Sequence, residues 1–169
     1  MPDGAADEAT LPTDQSPGPE HVRIRTATPD DRLEVARVLD GAMLETGDLP
    51  ERLRTEDVLV AVAERDDGRD AERPAETVVG AAVLETRGEN RHLDGVAVRR
   101  ARRDRGIGSA LVVRSVRDAR EMAGVSRVTA EFDAELRDFY AGLGFDVEPA
   151  STEGEDEGSP DRLRGTLPL

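Results

Sequence analysis

The stretch Leu93–Leu111, LDGVAVRRARRDRGIGSAL, predicts a strand, a basic turn and the start of a helix in direct succession. Its apolar run Val96–Val98 has the length and β-branched character of a strand. Helical periodicity begins after Gly106-Ile107-Gly108, where unpaired N–H groups and the helix dipole favour an anion. Because glycine has no Cβ, a phosphate can approach this backbone closely. We therefore predict a phosphate-binding turn at this point.

The turn carries five arginines within seven positions: Arg99, Arg100, Arg102, Arg103 and Arg105. The alternative to phosphate binding is a basic turn that is simply solvated. In a chain with a net charge of −14, the cluster favours phosphate binding, because it supplies positive potential against the overall field. The stretch contains neither the dinucleotide fingerprint G-x-G-x-x-G nor the P-loop motif, so it belongs to neither of those classes.

Two segments resemble signatures of the GNAT superfamily of acetyltransferases. Arg103–Gly108, RDRGIG, resembles that family's coenzyme A-binding motif, Arg/Gln-x-x-Gly-x-Gly/Ala. Asp133–Phe145, DAELRDFYAGLGF, is similar to its second signature, an asparagine-like cap followed by a short tyrosine-bearing helix and Leu-Gly-Phe. The similarity extends over residues 21–150 and implies an acyl-CoA-dependent N-acyltransferase that uses acetyl-CoA.

The hydrophobic pattern predicts an α/β fold, with a mixed, mostly antiparallel sheet of six or seven strands and helices on both faces. The predicted strands cover residues 21–27, 58–63, 77–85, 91–98 and 125–132, and two more begin at residues 145 and 162. The predicted helices cover residues 28–45, 109–123 and 133–143, Gly124 caps the second, and residues 47–55 form a loop or a short helix. The GNAT resemblance implies that strands four and five splay apart, and Gly95 is compatible with a bulge there.

The composition indicates one densely charged domain. With 169 residues, we expect a single domain over residues 21–169 and a disordered, proline-rich acidic tail over residues 1–20. The chain has 37 acidic residues and 23 arginines, and it contains no lysine. The excess acid indicates either an ordinary solvated surface or adaptation to high salt, and its spread along the whole chain favours adaptation.

The composition also excludes several classes of function. Net repulsion argues against a nucleic-acid partner. The absence of cysteine and the presence of only two histidines argue against disulfides and against a metal site. No stretch resembles a membrane span or a signal peptide, so we expect a cytoplasmic protein without a membrane partner. The expected partner is a small-molecule or peptide amine, and a homodimer is compatible with the sequence.

Acetyl transfer to an amine needs a base, an oxyanion donor and an acid for the departing thiolate. Tyr140 is the only tyrosine, and the resemblance places its hydroxyl opposite the thioester sulfur as a general acid. The alternative is a core aromatic without a catalytic role. For the base, His92 and Asp94 share one face of the fourth strand. His92 could instead be an exposed imidazole near a turn, and Glu85 or an ordered water are further candidates.

The resemblance assigns twelve residues to the cofactor: Val96, Ala97, Val98, Arg103, Asp104, Arg105, Gly106, Ile107, Gly108, Ser109, Asp133 and Tyr140. Asp133 replaces the family's usual asparagine; it can cap a helix, but a carboxylate is a poorer donor to the cofactor. Four acids are candidates to face a cationic acceptor or are simply solvated: Glu45, Asp48, Glu51 and Glu56.

Two other functions are compatible with the same sequence. One is a catalytically silent acyl-CoA-binding or regulatory module with the same fold. The other is a protein-interaction role led by the acidic tail, which would survive replacement of Gly106 and Gly108.

Overall fold

The computed structural model describes residues 22–65, 75–150 and 162–169. The predicted tail over residues 1–20 lies outside the described residues, and so do residues 151–160, which the sequence STEGEDEGSP predicts to be an acidic loop. The strands are β1 Val22–Thr26, β2 Val58–Arg65, β3 Ala75–Arg87, β4 Asn90–Val98, β5 Arg127–Asp133, β6 Asp146–Pro149 and β7 Arg162–Pro168. The α-helices are α1 Arg32–Gly41, α2 Leu49–Arg54, α3 Ile107–Arg120 and α4 Arg137–Gly142. Short 3₁₀ turns cover Pro29–Asp31, Arg100–Arg102 and Ala134–Leu136.

The strands form one seven-stranded sheet in the order β1-β2-β3-β4-β5-β7-β6. Neighbouring strands are antiparallel except β4 and β5, which are parallel. Helix α1 packs on β3 and β4 on one face, while α3 packs on the opposite face of the same strands. The predicted mixed sheet with helices on both faces is therefore confirmed.

Strands β4 and β5 separate part-way along their length. Their parallel pairing runs only from Asn90 opposite Arg127 to Leu93 opposite Ala130. Beyond that point, the remaining residues of β4, 94–98, have no partner on the β5 side. The splay predicted for strands four and five is thus present, and it leaves backbone N–H and C=O groups of β4 facing an open cleft.

A bulge lies where the splay begins. Gly95 pairs with Val83 and Leu93 pairs with Leu84, so Asp94 is the extra residue of β4. Such an insertion bends its strand and redirects side chains. The bulge predicted at Gly95 is therefore centred on its neighbour Asp94.

Helix α3 lies directly against the sheet because β3 carries a glycine beneath it. A Cβ at Gly80 would lie 3.1 Å from Ile107 Cγ2 and 3.2 Å from both the Ala97 carbonyl oxygen and Leu111 Cδ1. Any side chain there would push the helix outward. The close contact fixes the N-terminus of α3 beside the end of β4.

Helices α1 and α3 have other ends than the sequence predicted. Helix α1 ends at Gly41 rather than near residue 45, because Met43 adopts a left-handed conformation with φ of 54°. Helix α3 begins at Ile107 and ends at Arg120, so Gly124, with φ of 79°, belongs to the following turn and does not cap the helix. Residues 47–55 contain the short helix α2, whose N-cap Asp48 accepts a hydrogen bond from the Glu51 N–H at 3.1 Å.

Arginine supplies the cations of the ion pairs in the described ranges, apart from one contact between His92 and Asp94. Arg25 pairs with Asp31 at 2.8 Å, and the bonded guanidinium lowers the pKa of Asp31 despite its partial burial. Within the described part of the chain, none of the helices has the length and apolar character needed to span a bilayer.

Candidate active site

The splay opens into a cleft of about 590 Å³. Its walls are the free half of β4, the turn before α3, the start of α3, and α4 with its preceding turn. The lining residues are Ala42, Val96, Ala97, Val98, Arg102, Arg103, Asp104, Gly106, Ile107, Gly108, Ser109, Leu136, Phe139 and Tyr140. Of the twelve residues predicted to contact a cofactor, ten therefore line this one cleft, and Arg105 and Asp133 do not.

The turn before α3 has a conformation that requires glycine at its key position. Gly106, the N-cap of α3, has φ of 80°, and Asp104 is also left-handed with φ of 62°. The first N–H groups of the 14-residue helix α3 lack helical partners, as at any helix start. Anions are favoured at such an end.

Gly108 lies between two side chains at the wall of the cleft. A Cβ there would lie 3.7 Å from Phe139 Cζ and 3.8 Å from Val98 Cγ2, which are ordinary contacts. The protein can accommodate a methyl group at this position, but the methyl would occupy space beside the helix N-terminus.

Some arginines of the cluster line the cleft, and others form hydrogen bonds that hold the fold together. Arg102 and Arg103 line the cleft, and the Arg103 Nε donates to the Val98 carbonyl at 3.2 Å. Arg99 instead donates from Nε to the Val78 carbonyl at 2.7 Å, which ties the end of β4 to β3. Arg102 belongs to the arginine cluster that the sequence predicts to favour phosphate, although it was not among the twelve residues assigned to the cofactor.

Tyr140 is a buried aromatic on the wall of the cleft. Its ring stacks on Phe132 at a centroid distance of 4.1 Å and meets Phe139 and Phe145 edge-on at 5.0 and 5.4 Å. Among the described residues, the Tyr140 hydroxyl has no hydrogen-bond partner. Every fully buried polar side-chain atom in the same residues does have a partner, so the Tyr140 oxygen is not fully buried and must reach open space. Burial raises the Tyr140 pKa to about 12. The side chain is both a packing residue and a protonated hydroxyl at the cleft.

Asp133 does not cap the following turn through its side chain, contrary to the prediction. It occupies the N-cap position with extended backbone, but its carboxylate makes no capping hydrogen bond. The carboxylate instead accepts from Arg162 Nη1 at 3.3 Å. An arginine on the adjacent strand β7, invisible to a local capping rule, therefore redirects the side chain.

His92 is buried, so the interpretation as an exposed imidazole is wrong. Its Nδ1 lies 2.9 Å from the Thr129 Oγ1, and its Nε2 lies 3.5 Å from the Asp94 Oδ1. Burial, reinforced by the nearby Arg87 cation, lowers the His92 pKa, although Asp94 and Glu131 oppose the shift. The imidazole is therefore favoured in its neutral form, which can accept a proton.

Asp94 and Glu85 are both engaged with arginines. The Asp94 Oδ2 pairs with Arg52 Nη2 at 2.6 Å, and the same guanidinium donates from Nη1 to the Leu84 carbonyl at 2.8 Å. Glu85 pairs with Arg87 at 2.7 Å. The Asp94 pair joins α2 to the bulge of β4 and so holds the sheet beside the beginning of the splay.

The four acids considered for a cationic acceptor do not share a site. Glu45 and Asp48 line a cavity of about 580 Å³ between α1 and α2. Glu51 pairs with Arg54 at 2.5 Å, and Glu56 lines a different cavity below α3.

Residues after α1 also border the cleft, although the sequence did not indicate them. Ala42 lines it, and Leu44 packs on the bulge, where a Cβ at Gly95 would lie 3.0 Å from Leu44 Cδ1. Met43 between them is 91% exposed. The predicted continuation of α1 to residue 45 concealed this short irregular segment.

A buried neutral histidine makes stability depend on pH, and we expect His92 to do so. An unfolded histidine titrates near 6.5, whereas the folded pKa is lower, so below pH 6.5 the unfolded state binds the proton preferentially. The free energy of unfolding should fall as pH decreases from 7.5 to 5.5, and less so in His92→Gln. Urea denaturation at both pH values measures this. A decrease that disappears in His21→Gln, the only other histidine variant, instead of in His92→Gln would contradict the assignment.

The profile of the Acetyltransferase (GNAT) family matches residues 31–145, which include the cleft and the turn before α3. The chain belongs to the GNAT family of acetyltransferases. Family membership confirms the predictions of a GNAT fold and of an acyl-CoA-dependent N-acyltransferase. No curated protein matches this GNAT chain significantly.

Solved structures share the fold of this GNAT chain at low sequence identity. N-acetylglutamate synthase from Neisseria gonorrhoeae, complexed with coenzyme A and N-acetyl-glutamate, is 21% identical over 89% of this chain, with a TM-score of 0.64. The match spans only 35% of that protein. Ard1 from Thermoplasma volcanium is 21% identical over 89% of this chain and 99% of its own, with a TM-score of 0.64. PaiA N-acetyltransferase from Thermoplasma acidophilum, in complex with coenzyme A, is 14% identical over 89% of this chain and 100% of its own, with a TM-score of 0.65.

Proposed function

We propose that this GNAT protein transfers an acetyl group from acetyl-CoA to an amine acceptor by direct attack within a ternary complex. The observation that carries the proposal is the cleft itself. It brings the unpaired backbone of β4, the N-terminus of α3 and the Tyr140 hydroxyl to one open space.

The residues of the cleft fit coenzyme A. Phosphates suit the N-terminus of α3, where Gly106 and Gly108 leave room and Arg102 and Arg103 supply positive charge. The amides of a pantetheine arm suit those N–H and C=O groups of residues 94–97 that point away from β3. Structures that share this fold contain coenzyme A, which supports the same assignment here. Acetyl-CoA supplies a thioester carbonyl for the amine to attack and a thiolate as the leaving group.

Tyr140 is proposed as the general acid for that thiolate. Its pKa of about 12 keeps the hydroxyl protonated across the pH range in which enzymes operate. Since the hydroxyl has no partner in the described part of the chain, it is free to donate into the cleft.

His92 is proposed as the general base, acting through water. It lies on the β4 segment just before the splay, and burial keeps it neutral and able to accept a proton. Asp94, 3.5 Å from the Nε2, is proposed to assist it. The arginine pairs of Asp94 and Glu85 make either carboxylate a weaker candidate for the base itself.

A panel of amines, peptides and aminoglycoside antibiotics, with release of the coenzyme A thiol as the readout, tests the proposal. Running it at low and at molar salt covers both interpretations of the acidic composition. Thiol release that depends on one acceptor supports the transferase. Saturable binding of acetyl-CoA without turnover on any amine would instead favour the silent acyl-CoA-binding module.

Salt should stabilise this protein if its acidity reflects adaptation to high salt. The net charge of −14 repels itself in dilute buffer, and the Debye length shrinks from roughly 30 Å at 0.01 M to about 3 Å at 1 M. The unfolding midpoint should therefore rise between dilute buffer and molar potassium chloride. Sodium chloride should act alike, because screening depends on ionic strength. A flat or falling midpoint would show that the acidic residues form an ordinary solvated surface.

A further inference from the structure

A second cavity, of about 410 Å³, lies below the C-terminal half of α3. It is lined by Thr26, Thr55, Glu56, Asp57, Leu59, Leu84, Thr86, Arg91, Ser115, Asp118 and Met122. None of these residues lines the acetyl-CoA cleft. The volume lies within the range of small-molecule sites, and neither the family assignment nor the proposed transfer reaction uses it.

The cavity contains a buried arginine whose donors are only partly used. Arg91 is 8% exposed, and its Nη1 donates both to the Asp57 Oδ1 at 2.7 Å and to the Thr86 Oγ1 at 2.9 Å. Within the described ranges its Nε and Nη2 make no hydrogen bond. Every fully buried polar side-chain atom of those ranges has a hydrogen-bond partner, so these two nitrogens are not fully buried. Both must reach open space, and the cavity is the space that Arg91 lines.

The unused edge of Arg91 has the geometry of a carboxylate receptor. Nε and Nη2 present parallel N–H groups that match the two oxygens of a carboxylate, and the pairing strengthens where water is excluded. Ser115 lies in the same wall and is buried, but its one hydroxyl proton is donated to the Leu111 carbonyl at 2.8 Å, so Arg91 supplies the donors for a carboxylate.

The rim of the cavity has the opposite charge. Glu56 is exposed in a left-handed conformation with φ of 59°, and Asp118, half-exposed, accepts from Arg114 Nε at 2.8 Å. Asp57 is the third carboxylate of the lining and pairs with Arg91, so of the three acids Glu56 alone has no ion pair within the described residues. A simple anion would be repelled by the acids, and a simple cation would be repelled by Arg91. A molecule carrying both charges satisfies both parts of the site.

We propose that this cavity binds a small zwitterion with a carboxylate and an ammonium group, the chemistry of a free α-amino acid. The carboxylate accepts from Arg91 Nε and Nη2 inside the cavity, and the ammonium lies toward Glu56 and Asp118 at the rim. Leu59, Leu84 and Met122 supply apolar contact for a side chain. The site does not depend on the proposed transfer reaction.

The test is thermal stabilisation of the full chain by a panel of free L-amino acids at 10 mM, followed by titration of the strongest. Its amide and its decarboxylated amine, which each lack the carboxylate, and its N-acetyl derivative, which lacks the ammonium, should each bind at least tenfold more weakly. Arg91→Lys keeps the charge but removes the fork and should weaken binding at least tenfold. Glu56→Gln changes only an exposed side chain, so it should weaken binding while leaving the unliganded midpoint unchanged.

Two outcomes would overturn the site. One is the absence of stabilisation by any amino acid of the panel. The other is binding that Arg91→Lys and Glu56→Gln both leave unchanged, which would place the amino acid elsewhere, for instance as an acceptor near His92. Because Glu56→Gln lies outside the acetyl-CoA cleft, stabilisation by coenzyme A should persist in it, and this separates failure of the second site from failure of the first.

Discussion

Replacing Tyr140 with phenylalanine will lower turnover by about 10²–10⁴-fold, the loss typical of a missing general acid. The substitution removes only an oxygen from a ring that packs against Phe132, Phe139 and Phe145. Since that oxygen has no hydrogen-bond partner within the described residues, the unfolding midpoint should barely change. Steady-state rates and thermal melts on the same preparation measure both quantities.

The control is a neighbouring ring without a hydroxyl. Phe132→Leu disturbs the same stack and should lower stability by a few kcal/mol, while leaving the proton donor in place. Undiminished turnover in Tyr140→Phe would make Tyr140 a packing residue only. The Tyr140 pKa of about 12 also predicts no loss of activity from this group up to about pH 10, so an earlier alkaline decline belongs to another residue.

Gly108→Val will abolish stabilisation by coenzyme A. In the wild type, a ligand at a hundredfold its dissociation constant adds about 2.7 kcal/mol to the free energy of unfolding. The branched side chain would occupy the space between Val98 and Phe139, beside the N-terminus of α3, where we place the phosphates. Thermal melts with and without millimolar coenzyme A measure the effect.

Gly108→Ala supplies the graded control. Its methyl makes only ordinary contacts in the protein, so its unliganded melt should match the wild type, while its affinity for coenzyme A falls by less than that of the valine variant. Gly106 is unsuitable for this test, because its φ of 80° would strain any other residue. Wild-type affinity in Gly108→Val would show that the phosphates bind elsewhere.

Hydrophobic periodicity and the positions of glycine predicted those parts of the fold that depend on residues close together in the chain. The order of a strand, a glycine turn and a helix over Leu93–Leu111 was predicted from periodicity and glycine, and the short helix α2 was one of two predicted alternatives. These features need only neighbours within a few residues, which is the range that periodicity and capping report.

Long-range contacts decided the rest. The Arg99 side chain donates to the Val78 carbonyl instead of facing the phosphate turn. The Asp133 carboxylate accepts from Arg162 instead of capping a helix, and the His92 ring is hydrogen-bonded to Thr129 on β5. Each partner lies at least 21 residues away in the chain. No spacing rule within one segment can identify such a partner, so the sequence placed residues near the site without fixing their side chains.

The use of arginine, and never lysine, in the ion pairs has a consequence for the chemistry that this protein carries out. A lysine amine near a bound thioester can be acylated once it loses its proton, whereas the far more basic guanidinium group stays protonated and is inert. This chain has no lysine and no cysteine, so its side chains contain neither an amine nor a thiol to acylate. Self-acetylation therefore has no side-chain amine or thiol to modify, and a terminal α-amino group is the one remaining amine. After long incubation with acetyl-CoA, the intact protein should gain no more than one stable acetyl group by mass, even at high enzyme concentration.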